Sequence, residues 1–166
     1  MPFLPPLDLT ACLVTAFACA SDLRSRRIAN ELVLAALLSA LLLQLASSPW
    51  QHALMLWSGG ALTGLLLFLP LYVLRGMAAG DVKLMTAVGS LTGAATAGRI
   101  VLATCIAGGV LALIMLAARA SHKRAWFNLR MIVQHSVLHV PRKHSAGTLP
   151  YAVAIAVGTW LVLLFR

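Results

Sequence analysis

With 166 residues, 61% apolar and only 10% charged, and a mean hydropathy of +0.92, the chain departs from soluble globular domains, which average roughly 45–50% apolar and about 25% charged. A water-facing surface of this composition would expose large apolar patches, so the excess faces lipid, and long apolar runs without two-residue alternation select helices over a closed barrel. The 13 Lys and Arg against four acids give a net charge of +9, but without a basic, aromatic-interleaved helix face this excess argues against nucleic acid and for cation-rich membrane loops, with anionic lipid headgroups as a secondary partner.

A helical span needs about 20 apolar residues. In chain order the runs predict an all-α, polytopic membrane protein of about six transmembrane helices, at 3–21, 31–46, 53–74, 82–97, 99–118 and 149–165, forming a single domain over 1–166. The start, MPFLPPLDLT, lacks the basic opening of a secretory signal, so the first run is read as a retained helix. Cys12, Cys19 and Cys105 sit inside apolar runs without metal or disulfide spacing and are read as small packing residues.

If the N-terminus is outside, the cytoplasmic loops are 22–30, 75–83 and 119–147. These hold 11 of the 13 cations, leaving only Arg99 and Arg166 elsewhere. That asymmetry places both termini on the non-cytoplasmic face. The longest loop, 119–147, alternates cations with apolar residues such as Trp126, Phe127 and Leu129 up to Pro141, a pattern that predicts an interfacial helix between spans five and six. His135 and His139 stand four apart in it, but no acid accompanies them, so no metal site is expected.

The four acids are Asp8, Asp22, Glu31 and Asp81. Asp8 lies near the outer end of span one; Glu31 follows Asn30, which reads as the N-cap of span two with an acid in its first turn. Asp22 ends span one and Asp81 begins span four, so the topology sets both at the cytoplasmic boundary and at one depth. Two carboxylates brought together at low dielectric do not both ionise, and one protonated acid beside one base is what hydrolysis of a peptide by activated water requires, without a covalent intermediate or a metal. The plainer account is that Asp81 caps a helix and Asp22 is screened by the RSRR run. Weighing against it, Gly76, Ala78, Ala79 and Gly80 form a small-residue turn before Asp81 that a capping residue does not need. Lys83 either lowers the Asp81 pKa by its charge or snorkels to the surface.

The segments SDLRSRRIAN and GMAAGDVKLM resemble the two aspartate motifs of the type IV prepilin peptidases, the bacterial branch of the GxGD intramembrane aspartyl proteases. The layout, with a last span introduced by LPYAVAIAVGT, is similar to the short members that serve tight-adherence (Flp) pilus systems. The resemblance implies that Asp22 and Asp81 are the catalytic pair, with Gly80, Ala78, Lys83, Arg24, Arg26 and Asn30 as supporting motif residues. It further implies a prepilin or pseudopilin partner whose short cytoplasmic leader is removed, and a place in the bacterial inner membrane. Gly80 takes the second glycine of the motif and Ala78 replaces the first. Longer members carry a cysteine-bearing N-terminal domain and also N-methylate the product; nothing here matches it, so the expectation is peptidase activity without methyltransferase activity and without a cofactor. Basic leaders would be repelled by Arg24, Arg26 and Arg27, which are therefore read as headgroup anchors. Two other functions stay open: a non-catalytic membrane component of a pilus or secretion machine, and a small proton-coupled transporter. The sequence leaves the oligomeric state open.

Overall fold

The computed structural model describes residues 5–25, 28–74, 76–119 and 151–165. Among these residues there are six helices and no strand: α1 (Pro6–Ser25), α2 (Asn30–Ser47), α3 (Trp50–Val73), α4 (Ala79–Thr92), α5 (Ala94–Arg119) and α6 (Tyr151–Leu164). Four of them, α1, α2, α3 and α5, are long and apolar enough to cross a bilayer, consistent with a helical membrane protein. At 14 residues each, α4 and α6 rise roughly 21 Å against a hydrocarbon core of about 30 Å. Beyond Arg119, which ends α5, the expected interfacial helix of 119–147 lies outside the described residues. The chain divides into two compact units, one of Met1–Gly108 with Pro150–Arg166, the other of Gly109–Leu149.

Several boundaries move from those the apolar runs predict, each for a local reason. Pro6 opens α1 at a position where its missing amide costs nothing, and the Pro5 carbonyl accepts the amides of Asp8 (2.9 Å) and Leu9 (3.0 Å). At its other end α1 continues through Ser25, so Asp22 lies inside the helix and not after it. The fourth and fifth helices meet earlier than residues 97–99, because Gly93 adopts φ +78°, a left-handed conformation natural to glycine, after its amide closes on the Gly89 carbonyl at 2.9 Å. Residues 94–98 therefore belong to α5.

The most buried helix is α4, with nine of its 14 residues inside, packed against α1, α2, α3 and α6. Its closest partner is α3. Gly60 and Gly64, one turn apart in GALTG, face Gly89 and Met85, and a Cβ on Gly60 or Gly64 would collide with the carbonyl of Gly89 or Met85, respectively. Such small-residue seams replace the hydrophobic effect in lipid, where helices associate by close backbone packing. The bulky residues point the other way: Phe17, Leu42, Leu62, Leu66 and Leu102 are exposed along the outer faces.

Within the described bundle, three polar side chains besides Lys83 tie helices together. The Trp57 indole donates to the Leu37 carbonyl (3.0 Å), and the Trp160 indole to the Thr15 hydroxyl (3.1 Å), which itself donates within α1 to the Ala11 carbonyl (2.9 Å). The third is Gln44, 3% exposed, whose Nε2 donates to the Ser90 carbonyl at 2.6 Å. Ser90 is among the last four residues of α4, whose carbonyls lack intrahelical partners. Gln44→Leu is expected to leave that carbonyl unmet and cost about 1–2 kcal/mol, measured as a lower midpoint of unfolding in detergent; an unchanged midpoint would show that the Ser90 carbonyl does not depend on α2.

Candidate active site

Asp22 and Asp81 are 59 positions apart in sequence, and the packing beneath them converges. One turn from Asp22 on the same face of α1 is Ala18; one turn from Asp81 on the same face of α4 is Met85. Both are fully buried in one hydrophobic cluster, and residues four apart stack on one face of a helix. The aspartates therefore emerge at the same end of the bundle, above a shared core. Asp22 is half-buried and Asp81 is 6% exposed.

Asp81 stands in the first turn of α4, just before the apolar stretch that begins at Val82. Ala78, preceding the helix, has no side-chain oxygen with which to cap it. The Asp81 carboxylate does so instead, its Oδ2 accepting the Ala78 amide at 3.2 Å while the Asp81 amide donates to the Ala78 carbonyl at 3.1 Å. This local capping starts α4 three residues before the predicted residue 82. Burial pushes the Asp81 carboxyl up to about 6, against the pull of the Ala78 amide and with a further upward contribution from the charge of Asp22. The charge of Asp22 thus reaches Asp81.

Ile28, two residues before α2, lies over this turn. Ile28 is part-buried against the core cluster, and a Cβ on Gly80 would meet its side chain at 3.4–3.6 Å, an ordinary contact. Ala78 has φ −84° and ψ 155°, an extended conformation open to any L residue, so alanine in place of the motif's first glycine is accommodated in this geometry.

Asn30 differs from its predicted role. It is the first residue of α2, and Ala29 holds the cap position without a side-chain bond; the Asn30 Oδ1 instead accepts the Lys83 ammonium at 3.0 Å. The physical reason is competition: a cation from α4 is a stronger donor to the amide oxygen than the neutral amides of its own helix. Lys83 is exposed and turned to α2, and it is not among the groups that perturb Asp81. Arg24 is exposed in the last turn of α1, where a cation complements the helix dipole. Arg26 and Arg27 lie outside the described residues.

Two neighbours escape a reading of the sequence. Ile28 is a lone branched aliphatic in a polar loop, and that isolation is its only signal. Tyr151, half-buried, opens α6 within the LPYAVAIAVGT landmark. Among the described residues no three His, Cys, Asp or Glu side chains gather as a metal-binding set. Chemically the site offers a buried carboxyl that favours its proton, a more exposed carboxylate, and a phenol.

A family model described as the type IV leader peptidase family matches residues 9–113, a stretch that takes in both aspartates. No curated protein and no solved structure shows a significant match to the chain.

Proposed function

The chain belongs to the type IV leader peptidase family, and from that premise we propose that it is a membrane-embedded aspartyl endopeptidase that removes the short cytoplasmic leader of prepilins or pseudopilins, with Asp22 and Asp81 as its dyad. The observation that carries this reading is the pairing of a half-buried Asp22 with a buried Asp81 on one end of the bundle, the charge of the first raising the pKa of the second.

In the proposed mechanism Asp81 holds the proton and Asp22 is the base. Asp22 takes a proton from water as its oxygen attacks the scissile carbonyl carbon, while Asp81 gives its proton to the carbonyl oxygen. The tetrahedral diol collapses as Asp22 returns its proton to the departing nitrogen, the C–N bond breaks, and Asp81 recovers a proton from the diol oxygen. Water is consumed and neither aspartate is changed. The proposed activity is hydrolysis alone, without methylation of the new terminus. The site lies at the cytoplasmic boundary of a bacterial inner membrane, six helices cross with both termini outside, and the cations of the loops meet anionic headgroups.

The hydrogen bond from the Ala78 amide favours a second reading, a membrane component in which Asp81 only caps α4. The experiment that separates the two is cleavage of a purified prepilin, basic leader joined to an apolar helix, by the full chain in detergent, read by gel mobility and N-terminal sequencing. One new terminus just before the apolar helix supports the peptidase; an intact prepilin overturns it.

The pH dependence follows in sign. Asp81 must carry its proton, and its carboxyl titrates near 6, so kcat/KM is expected to fall as pH rises through about 6. An apolar substrate helix over the site removes more water and raises that pKa further, so the falling limb of kcat should lie at higher pH than that of kcat/KM, since the two report the occupied and the free enzyme. A rate that rises through the same range would reverse the assignment of acid and base.

A further inference from the structure

We propose that Tyr151 is a substrate-binding residue of the aspartate site, its phenol donating a hydrogen bond to the peptide backbone beside the scissile bond. This rests on the peptidase reading above and extends it to a third helix.

The geometry is the same construction that brings the aspartates together. One turn from Tyr151 on the same face of α6 is Ile155, fully buried in the cluster that also holds Ala18 and Met85. Each of the three core residues thus lies one helical turn beneath one of three polar ones, Asp22, Asp81 and Tyr151. Neighbours agree: Ala152, next to Tyr151, and Val82, next to Asp81, belong to the same cluster. The phenol ring lies against α5 at Gly108, where a Cβ would meet its Cε1 at 3.5 Å, an ordinary contact. The other hydrogen-bonding side chains of α6 serve structure, Thr159 donating to the Ile155 carbonyl (2.7 Å) and Trp160 to Thr15 (3.1 Å). Tyr151 is half-buried.

The chemistry has a place for such a donor. A base and an acid suffice to hydrolyse a peptide but do not hold it, and reacting atoms must be kept about 3–3.5 Å apart. A phenol stays a neutral donor across the range in which carboxyl groups titrate, a peptide carbonyl is its natural acceptor, and a ring pinned on α5 loses little freedom on binding.

The test compares wild type, Tyr151→Phe and Tyr151→Leu, full chain in detergent, on the purified prepilin described above. Tyr151→Phe keeps the ring on Gly108 and is expected to unfold like wild type, yet to lower kcat/KM by about 10- to 100-fold, the loss of one hydrogen bond that leaves a desolvated carbonyl unmet. In the uncleaving Asp22→Asn background, Tyr151→Phe is expected to weaken binding of the intact prepilin about 10-fold. Tyr151→Leu should lose at least as much activity. If Tyr151→Phe cleaves and binds within two-fold of wild type and only Tyr151→Leu is impaired, the ring is a packing element and the proposal falls. If Tyr151→Phe moves the pH limb while binding is unchanged, the phenol acts on Asp81 and not on substrate, which also overturns it. If wild type leaves the prepilin intact, or Asp22→Asn cleaves normally, the peptidase reading itself fails and this proposal with it.

Discussion

Asp22→Asn and Asp81→Asn are each expected to reduce prepilin cleavage by about 10²–10⁴-fold, the usual worth of a positioned acid or base, while the protein still folds. The argument for retained folding is specific at Asp81. Asparagine keeps a side-chain oxygen that accepts the Ala78 amide, so the start of α4 survives, and what is removed is titration alone. Linkage then gives an opposite sign for stability. The carboxyl of Asp81 is raised from its ordinary 3.8 to about 6, so the folded protein binds the proton more tightly than the unfolded one, and wild-type stability falls as pH rises from about 4 through 6. Asn has no charge to bury. Asp81→Asn is therefore expected to unfold at a higher temperature than wild type at pH 7.5, with the difference closing toward pH 4. Loss of cleavage together with gained stability is the mark of a functional acid held at a structural cost. Normal cleavage by either variant would overturn the dyad and favour helix capping and screening, whereas proton flux that depends on one of the two acids would favour a transporter.

Legibility of the site in the sequence followed the residue type. Acids are scarce enough in an apolar chain to be weighed individually, so Asp22 and Asp81 stand out at one predicted depth, and the structure brings the helices that carry them onto one core. Asn30 is illegible for a different reason: Asn before an acid is the ordinary signature of an N-cap, whereas its actual partner, Lys83, is 53 positions away. The start of α4 precedes its apolar run because a carboxylate reaching back to the Ala78 amide extends the helix. Tyr151 carries no comparable signal, being one aromatic at the end of a span that is apolar all round. The deeper obstacle is that lipid and protein interior are both apolar. Inner and outer faces of a lipid-bathed helix differ in side-chain size more than in polarity, as Gly60 and Gly64 against Leu62 and Leu66 illustrate, and hydropathy periodicity does not register size.

Size is what the last prediction perturbs. Gly60→Leu is expected to prevent stable folding, because even its Cβ would collide with the Gly89 carbonyl, a backbone atom that no rotamer change can move aside. Gly89 meets Gly60 in the same way, so neither helix can yield without separating from the other. Overpacking in an interior costs about 1–3 kcal/mol where side chains can shift, and more where backbone must. Because α4 carries Asp81, a displaced α4 also removes one aspartate from its partner, so any folded remnant should be inactive. The matched control is on α5: a Cβ on Gly98 or Gly109 meets nothing among the described residues within 4 Å, and replacing a mid-helix glycine by alanine without a clash gains about 0.5–1 kcal/mol. Gly98→Ala and Gly109→Ala should therefore be neutral or stabilising in thermal unfolding and fully active, whereas Gly60→Leu and Gly89→Leu should be recovered only as aggregates or degraded chains. If Gly60→Leu instead accumulates in membranes and cleaves prepilin at the wild-type rate, α3 does not pack on α4 through this seam, and the core on which Asp81 is positioned has to be drawn differently.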